Sequence, residues 1–518
     1  MIDRKNNGSK DLKFELLIMT VIVIFVKLLG FCREVVLAYC YGTSNISDAY
    51  LIAYSIPTIL FTLIAKAIST AYTPIFLKIE KENGIKESNI YTSKICNIFL
   101  VICIILIILV EIFPNQVVLV FASGFDYETT VICVDILRIG IFSIIFMLLT
   151  SLFSAYLQTK QKYIICAIVS LPLNIILIIL FFISKKMSYH VLGYGLIMAF
   201  LSEFVLLLPF ICKTKFRYTL SFKYDLYIKD TIVKVLPVMV GSCASQVNKL
   251  IDRTMASTIS GGVSALSYAS LINISIQELI VTSLLSMITV EFSRLVLNLN
   301  YKLVTSKLQQ ILIIVSILLV PITIILMLFD SEVVKILFMR GAFDENSTKK
   351  TSVALFYYSI GLLFVAVRDI YVRVYNSHQN TLIPAISSVI MVISNIVLNL
   401  ILSRYLGVGG LALASSVSAI VGCFILTITF EKKYYAIFDK KFWINLFKVI
   451  LLSLLCCGVA YVIYYFLTLC DLWYFIAMIL SLLVGMVLYF ALLWLFKVNE
   501  FIKIVKYVFK KIRREKNV

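Results

Sequence analysis

Charged residues are scarce in this chain of 518 residues: only 14% are Asp, Glu, Lys or Arg, against 61% hydrophobic residues. Soluble domains carry about a quarter charged residues, so the composition excludes an ordinary soluble protein. Long polar connections are also missing, which excludes a large domain outside the apolar segments. Mean hydropathy is +1.01, and apolar runs of membrane-spanning length recur from end to end. The composition therefore predicts an all-α polytopic membrane protein.

Metal-binding and nucleophilic chemistry lacks its usual side chains. The sequence holds only two histidines, His190 and His378, and no Cys-x-x-Cys pair among its 12 cysteines. Most of the cysteines lie inside apolar segments, where a thiol behaves as a small buried hydrophobe. Zinc sites and histidine-dependent triads are therefore not predicted, and we expect no enzyme activity.

The apolar runs, bounded by charge, glycine or proline, predict about 14 transmembrane helices. When alternate connections are assigned to opposite sides, one side holds about 30 of the 47 Lys and Arg residues and the other about 7. Because cytoplasmic loops are the basic ones, this asymmetry predicts that both termini are cytoplasmic. The surplus of +19 charges then reflects membrane topology, and no nucleic-acid partner is expected.

The chain also resembles itself. A shift of 221 residues lays Gln158 on Gln379 and Asn174 on Asn395, and a shift of 218 aligns the first and seventh spans. Because an even number of spans separates equivalent positions, the repeats have parallel topology, as in alternating-access transporters. This predicts two pseudo-symmetric six-helix halves plus a C-terminal helix pair. The predicted segments are a cytoplasmic N-terminus at 1–15, bundles at 16–217 and 218–431, a helix pair at 432–496 and a basic cytoplasmic tail at 497–518.

Several charged residues interrupt the predicted spans, although a charge at the bilayer centre costs on the order of several kcal/mol. The basic ones gather in the first, second and seventh spans, which occupy matching places in the two halves. This concentration predicts a cationic cavity for an anionic substrate, since arginine can bind two phosphate oxygens at once. The predicted cavity residues are Lys27, Arg33, Lys66, Lys249 and Arg253, and the predicted structural or coupling acids are Glu34, Asp48 and Asp252. Ion pairs that lock the helices are the alternative role for these charges.

A second polar set offers oxygens to a monovalent cation. Asn395 and Asn399 lie four residues apart and share one helix face. With Asp252 and Ser415 they form a candidate sodium site, while hydrogen bonding between helices is the alternative. Glu203, alone among apolar residues, is either a proton-coupling carboxylate or a buried neutral acid. Beyond a coupling cation, sodium or proton, or the membrane potential, no cofactor is predicted.

Five motifs follow one another at characteristic spacings. They are Gly30-Phe31-Cys32-Arg33-Glu34 with Ser47-Asp48-Ala49-Tyr50, Ile251-Asp252 with Ala256-Ser257, Arg340-Gly341-Ala342-Phe343, Arg373-Val374-Tyr375 with Thr381-Leu382-Ile383-Pro384, and Gly410-Leu411-Ala412-Leu413-Ala414. In order and spacing they resemble the MurJ (MviN) family of lipid II flippases over roughly residues 26 to 430.

The resemblance implies a flippase of the multidrug, oligosaccharidyl-lipid and polysaccharide exporter superfamily in the bacterial cytoplasmic membrane. It implies outward movement of lipid II, the undecaprenyl-diphosphate-linked peptidoglycan precursor, by alternating access during cell-wall synthesis. The residue matching Arg33 would meet the diphosphate, and the last two helices would form a groove for the polyprenyl tail. Some members carry a sodium site that matches the candidate set above. The implied partners are the lipid-linked saccharide, the bilayer and cell-wall synthesis proteins.

The chain departs from the family pattern at several positions. Lys27 stands where many members have Arg, and Phe61 and Leu271 align with further cavity arginines. Asn399 replaces an acid of the sodium set. The alternative function is therefore a flippase for another polyprenyl-diphosphate-linked oligosaccharide, such as a capsule unit. A drug or cation exporter would instead require an acidic cavity.

Overall fold

The computed structural model describes residues 3–214, 216–223, 225–297, 301–434, 436–503 and 505–506. The side chains of residues 3–17, 63, 66–67, 69–70, 234–245, 282–287, 289–290 and 301 lie outside that description. Every regular element in the described ranges is helical. A helix satisfies its backbone N–H and C=O groups within one segment, which hydrocarbon surroundings require, so apolar runs of this length fold as helices.

The first half of the chain forms nine α-helices and a π-helical turn. Helices α1 to α3 are Asp3–Tyr41, Asn45–Ala67 and Thr73–Ile112, with the π-helical turn Ile68–Tyr72 before α3. Helices α4 to α6 are Pro114–Phe121, Tyr127–Gly140 and Ser143–Thr159. Helices α7 to α9 are Tyr163–Ile168, Ser170–Lys186 and His190–Lys213.

The second half contributes nine further α-helices in its described residues. Helices α10 to α12 are Leu226–Ala256, Gly262–Leu297 and Tyr301–Leu328. Helices α13 to α15 are Asp330–Phe338, Glu345–Ser377 and Leu382–Leu406. Helices α16 to α18 are Val408–Lys433, Lys440–Leu469 and Tyr474–Leu495.

Ten helices in the described ranges are long and apolar enough to cross a membrane, and eleven if α5 and α6, bent by 46°, count as one span. A polytopic helical membrane protein is thereby confirmed, while the count of 14 stays a prediction. The bent pair corresponds to the fourth predicted span. The third span differs most from its prediction, because α3 begins at Thr73, before the apolar run, and breaks at Gly84. Its polar start is rich in Lys and Glu, which favour helix without lipid around them.

Tertiary contacts divide the chain into two compact units. The first comprises Met1–Ser264 with the separate segment Arg340–Ser347, and the second comprises Ala265–Met339 with Thr348–Val518. Helix α10 packs on α2 and α3 in the first unit, although it opens the second half of the sequence repeat. The predicted boundary between residues 217 and 218 concerns the repeat and stays a prediction.

The backbone supports the internal repeat at a kinked short helix in each half. Phe113 precedes α4 with φ −121° and ψ 46°, and Phe329 precedes α13 with φ −118° and ψ 28°. Each short helix leads to an aspartate that caps the next helix. Asp126 accepts a hydrogen bond from the N–H three residues on at 3.1 Å, and Asp344 does the same at 2.8 Å. Asp126 and Asp344 are 218 residues apart, the offset of the first alignment.

A second matching turn corrects part of the sequence alignment. Gln161 and Gln379 both adopt left-handed backbone, with φ 59° and 56°. Their flanking bonds also agree: Lys162 N–H bonds to Leu157 C=O, and Asn380 N–H bonds to Tyr375 C=O, both at 3.0 Å. The structure therefore matches Gln161 with Gln379, and the alignment of Gln158 with Gln379 is wrong by three residues. Apolar residues recur so often along a helix that an alignment shifted by three residues still matches many of them. A turn with left-handed backbone occurs at a single position and therefore fixes the alignment.

Candidate functional site

Arg33, on α1, lies in a partly buried ion pair within the first unit. Its Nη2 donates to Glu34 Oε1 at 2.5 Å and its Nε to the same oxygen at 3.2 Å. The Arg33 and Glu34 side chains are 15% and 17% exposed. Glu34 engages two of the five guanidinium N–H groups, so the guanidinium retains the capacity to bind a second anion. The ion pair that the sequence left open as an alternative is present here.

An aromatic cluster lies on one side of this ion pair, beginning with Tyr54. The Arg33 guanidinium carbon lies 5.7 Å from the ring centre of Tyr54 on α2. The Tyr54 ring stacks on Tyr50 at 6.1 Å and on Phe200 of α9 at 6.3 Å. Tyr50 also meets Phe181 of α8 edge-on at 5.3 Å. The sequence analysis did not single out Tyr54, whose only signal was its position one helical turn after the motif residue Tyr50.

Asp48, at the start of α2, is buried and anchors the beginning of α11. Its Oδ1 accepts a hydrogen bond from the backbone N–H of Ser264 at 2.8 Å, and the side chain is 2% exposed. A carboxylate is stabilised at a helix N-terminus, where backbone N–H groups lack partners in the helix. Asp48 therefore joins the start of α2 to Ser264 within the first unit, and its role as a structural or coupling acid stays a prediction.

The predicted cavity residues of α10 share the first unit with Arg33. Arg253 Nη1 donates to the backbone oxygen of Leu51 on α2 at 3.2 Å. Its neighbour Asp252 accepts from Asn248 Nδ2 at 3.3 Å. Lys249 on α10 and Lys27 on α1 are exposed, and Lys66 belongs to α2 but its side chain lies outside the described residues. The structure thus brings Arg33 next to Glu34 and joins Arg253 to α2.

The turn between α1 and α2 is sealed by the separate segment of the first unit. Ala342 N–H donates to Tyr39 C=O at 2.9 Å. The hydroxyls of Thr43 and Ser347 are 2.8 Å apart. Gly42 has φ +56°, and a Cβ there would lie 2.4 Å from the oxygen of Ala342, so only glycine fits this approach. The α1–α2 turn and the Arg340–Ser347 segment are both predicted to face the outside of the cell. We call the contact between them the outer seal.

Three members of the candidate sodium set meet in the second unit. Asn395 Nδ2 donates to Ser415 Oγ at 3.2 Å, and Asn399 Nδ2 donates to Asn395 Oδ1 at 2.9 Å. Asn395 and Asn399 are 1% and 0% exposed. This neutral cluster links α15 to α16, in agreement with the hydrogen-bonding alternative. Asp252 belongs to the first unit, and the sodium assignment stays a prediction.

A family comparison identifies the chain. A sequence model described as lipid II flippase MurJ matches residues 37–494. The chain belongs to the MurJ family. It is 28% identical over 444 residues to the probable lipid II flippase MurJ of Thermotoga maritima, covering 83% of this chain and 86% of that protein. It is 27% identical over 427 residues to the lipid II flippase MurJ of Thermosipho africanus, covering 82% and 87%.

Solved structures agree with the MurJ assignment. A lipid II flippase MurJ in an inward closed conformation aligns with a TM-score of 0.79 at 26% identity, covering 93% of this chain and 99% of that one. An inward-facing multidrug resistance transporter of the MATE family, in the MOP superfamily, aligns with a TM-score of 0.65 at 12% identity, covering 80% and 98%. At that identity the second match shows the fold alone. The resemblance to the family noted from the sequence is confirmed.

The MurJ match begins at residue 37, after the first motif of the sequence analysis. Asp48 and Arg253 fall inside the matched residues, whereas Lys27, Arg33 and Glu34 precede them. The role of Arg33 therefore depends on its own geometry: a guanidinium inside a predicted span, which lies over the ring of Tyr54 and is paired with one carboxylate.

An apolar groove runs along the terminal helix pair α17 and α18. Its volume is about 720 Å³. Its lining is Trp443, Ile444, Phe447, Leu451, Leu452, Leu455, Leu492 and Phe496, with Lys440 and Lys448 at its edge. Lys448 Nζ donates to the backbone oxygen of Phe496 at 3.1 Å, which directs its charge to the end of α18. The groove is therefore an apolar channel whose lining also includes two lysines.

Proposed function

We propose that this chain is a flippase that carries lipid II from the inner to the outer leaflet of the bacterial cytoplasmic membrane. The observation that carries the proposal is the MurJ family match over residues 37–494. Both termini are assigned to the cytoplasm, in keeping with the asymmetry of Lys and Arg. The protein is a transporter and not a catalyst, because its task is to move an intact lipid.

Arg33 is our proposed anchor for the diphosphate. The Arg33 side chain is only 15% exposed and lies against the ring of Tyr54, so a charge-assisted hydrogen bond is stronger there than in water. Glu34 orients the guanidinium along α1 and takes two of its N–H groups. An arriving diphosphate can bind the remaining N–H groups or displace Glu34. The cavity lysines Lys27, Lys66 and Lys249 and Arg253 supply further positive charge around the anion.

The groove of α17 and α18 is our proposed place for the polyprenyl tail. A hydrocarbon chain gains about 0.8 kcal/mol for each methylene removed from water, so it favours apolar walls of this kind. Lys440 and Lys448 add positive charge to the lining of this groove. Tail and headgroup would then bind to different parts of the protein, as a lipid that crosses a membrane requires.

Alternating access supplies the transport step in this proposal. The outer seal keeps the predicted outward connections of the first unit joined, through Ala342 N–H to Tyr39 C=O and through the Thr43 and Ser347 hydroxyls. These few hydrogen bonds can break when the protein opens outward. Lipid II would enter from the cytoplasmic side while the seal is closed and leave once it opens.

Genetic replacement tests the function. We expect the gene to sustain growth of a bacterium depleted of its own lipid II flippase, and we expect the purified protein in proteoliposomes to translocate lipid II. A polyprenyl-diphosphate carrying a capsule oligosaccharide, assayed in parallel, tests the alternative substrate. Transport of that lipid but not of lipid II would contradict the proposal.

A reversible disulfide across the outer seal tests whether the seal must open during transport. The double variant Thr43→Cys and Ser347→Cys places two thiols where hydroxyls now lie 2.8 Å apart, close enough for a disulfide after small adjustment. Oxidation should arrest translocation and reductant should restore it, while each single variant stays insensitive to oxidant. Unchanged transport by the cross-linked protein would mean that the outer seal does not have to open.

A further inference from the structure

A polar pocket of about 580 Å³ lies inside the first unit, among α2, α6, α8 and α9. Its polar lining consists of Thr58, Thr62, Thr150, Ser151, Ser154 and Ser170, with the carboxylate of Glu203. Tyr54, which stacks over Arg33, forms another part of the wall. The pocket therefore adjoins the Arg33 ion pair, yet neither the diphosphate anchor nor the tail groove uses it.

Glu203 is a buried carboxylate in this pocket. Glu203 is 6% exposed. Its side chain hydrogen-bonds with Ser170 and interacts electrostatically with Arg33. An ionisable side chain inside a membrane span is costly and is retained mainly where it carries a function. The sequence analysis left Glu203 as either a proton-coupling carboxylate or a neutral acid, and its position beside Arg33 now distinguishes it from an isolated buried acid.

Two hydroxyls in the same pocket point to a ligand. The Oγ1 of Thr150 and the Oγ of Ser154 are buried and have no hydrogen-bond partner among the described residues. Thr150 is 6% exposed. Most buried polar atoms in proteins have a partner, so orphaned hydroxyls beside a carboxylate indicate a group that they bind. Hydroxyl and carboxylate oxygens are the ligands that hard cations prefer.

The charges around Glu203 also favour a cation. Arg33 on α1 and Tyr54 on α2 are the titratable groups of the described residues that face it from neighbouring helices, and Arg33 is already paired with Glu34. If both acids are ionised, the single guanidinium of Arg33 faces two carboxylates, so Arg33 compensates the charge of Glu203 only in part. A bound monovalent cation would compensate the charge that remains on Glu203.

We propose that this pocket binds one monovalent cation, a proton or a sodium ion, with Glu203 as the charged ligand and Thr150, Ser154 and Ser170 as hydroxyl ligands. The consequence for transport rests on the proposed function. Neutralising Glu203 removes a negative charge near Arg33, so that Arg33 holds the diphosphate more strongly. Cation binding and substrate binding then favour each other, which couples a cation gradient to lipid movement.

Carbodiimide labelling tests the pocket directly. Dicyclohexylcarbodiimide reacts with buried carboxylic acids in their protonated form, and mass spectrometry of the full-length protein in nanodiscs locates the adduct. We expect labelling of Glu203 to fall about tenfold for each pH unit above its titration midpoint. Protection by NaCl at constant pH, but not by choline chloride, would identify sodium as a ligand. Labelling that is independent of both pH and sodium would overturn the proposal, because a permanently neutral acid behaves so.

Matched variants separate a cation site from simple reactivity. Glu203→Gln should abolish the adduct, whereas Glu111, an acid near the end of α3 in the same unit, serves as an internal control in the same digest. Thr150→Val keeps the shape but removes a hydroxyl, and we expect it to weaken sodium protection severalfold if sodium binds, or to shift the pH profile of labelling if only protons bind. If Thr150→Val changes neither, the hydroxyls are not ligands and the assigned site is wrong.

Transport assays distinguish failure of this inference from failure of the proposed function. Wild-type translocation of lipid II should depend on pH or sodium, and Glu203→Gln should lose that dependence. If the wild type does not translocate lipid II, the function is wrong while the labelling result still decides the cation site. If it translocates lipid II with equal dependence in wild type and Glu203→Gln, the function stands and the coupling role of Glu203 fails.

Discussion

The two bundles carry polar clusters of different chemistry among their apolar helices. The cluster of the first unit contains ionisable groups: Arg33, Glu34 and Glu203. The cluster of the second unit consists of two amides and a hydroxyl, from Asn395, Asn399 and Ser415, which bond to one another.

The difference in chemistry between the two clusters indicates a difference in their roles. Amides and hydroxyls satisfy one another at modest energy, about 0.6 kcal/mol for a typical hydrogen bond between membrane helices, and so suit helix packing. Ionised groups in a span are costly unless they are paired or bind a ligand. We therefore assign substrate and cation chemistry to the cluster of the first unit and a packing role to that of the second.

Removal of Arg33 should produce the largest effect. Arg33→Ala deletes a charge-assisted donor to the diphosphate and leaves Glu34 without its partner, so we expect lipid II translocation to fall about a hundredfold. Arg33→Lys should recover part of it, since an ammonium keeps the charge but loses the planar fork. Translocation in proteoliposomes, normalised to inserted protein, is the measurement. Arg138→Ala, at an exposed arginine of the same unit, is the control, and equal activity of both variants would remove Arg33 from the site.

Substitution of Asp252 should have the next largest effect on transport. Together with substitution of Arg253 it tests whether Asp252 couples cation binding to transport. Asp252→Asn leaves the positive charge of Arg253 less balanced inside the protein, so we expect transport to fall severalfold. Adding Arg253→Gln should restore much of it, because the pair then carries no net charge. Complementation and sodium-gradient assays compare the single and double variants. An inactive double variant, together with a wild type that needs sodium, would return coupling to Asp252 and the sodium set.

The neutral cluster of the second unit should yield a smaller effect. Asn395→Ala removes the bonds to Ser415 and Asn399, and we expect a loss of about 1 kcal/mol in stability with transport within about twofold of wild type. Thermal unfolding in nanodiscs, with and without NaCl, measures the stability. Lipid II translocation in proteoliposomes measures the transport. A strong sodium-dependent stabilisation that Asn395→Ala abolishes would contradict the contrast between the clusters and favour the sodium site.

An ion pair outside the apolar segments should show the smallest effect. Lys94 Nζ lies 2.6 Å from Asp225 Oδ2, at the start of α10. Partial burial by itself would raise the pKa of Asp225, but hydrogen bonds from Lys94 and from the Ile228 N–H outweigh it and lower the pKa below its usual value. Its stabilisation is therefore present at neutral pH and disappears as the pH falls through that lowered pKa.

Asp225→Asn should accordingly reduce the stability at neutral pH by at most about 1 kcal/mol, because the pair is partly exposed. The difference from wild type should shrink as the pH falls below about 3.9, the usual pKa of an aspartate, and should vanish only below the lowered pKa of Asp225. Melting temperatures across the pH range measure this, and a double-mutant cycle with Lys94→Gln isolates the pair. A difference that persists in acid would show that the Asp225 side chain acts through packing or through its cap at Ile228.

Much of the architecture was predictable because its causes are local in sequence. Apolar runs of membrane length predicted the helices, since backbone groups in hydrocarbon must be satisfied within each segment. The Arg340-Gly341-Ala342-Phe343 motif was visible as a family signature. The start of α3 was missed, because its polar helix outside the apolar run has no hydrophobic boundary signal. The Gln158 alignment failed for a related reason, because apolar repeats match at several registers.

The sequence by itself determined the membrane class, the family and the residue types available for binding an anion. Tertiary structure alone decided which of these residues meet. Glu203 reaches Ser170 and the field of Arg33 from a helix far along the chain, and the Arg340–Ser347 segment returns to close the α1–α2 turn. These contacts between distant residues depend on how the helices pack. Packing in turn depends on the shapes of all the side chains in each helix interface. Helix formation depends on the solvent around a single segment, and for that reason sequence predicts the helices better than the sites between them.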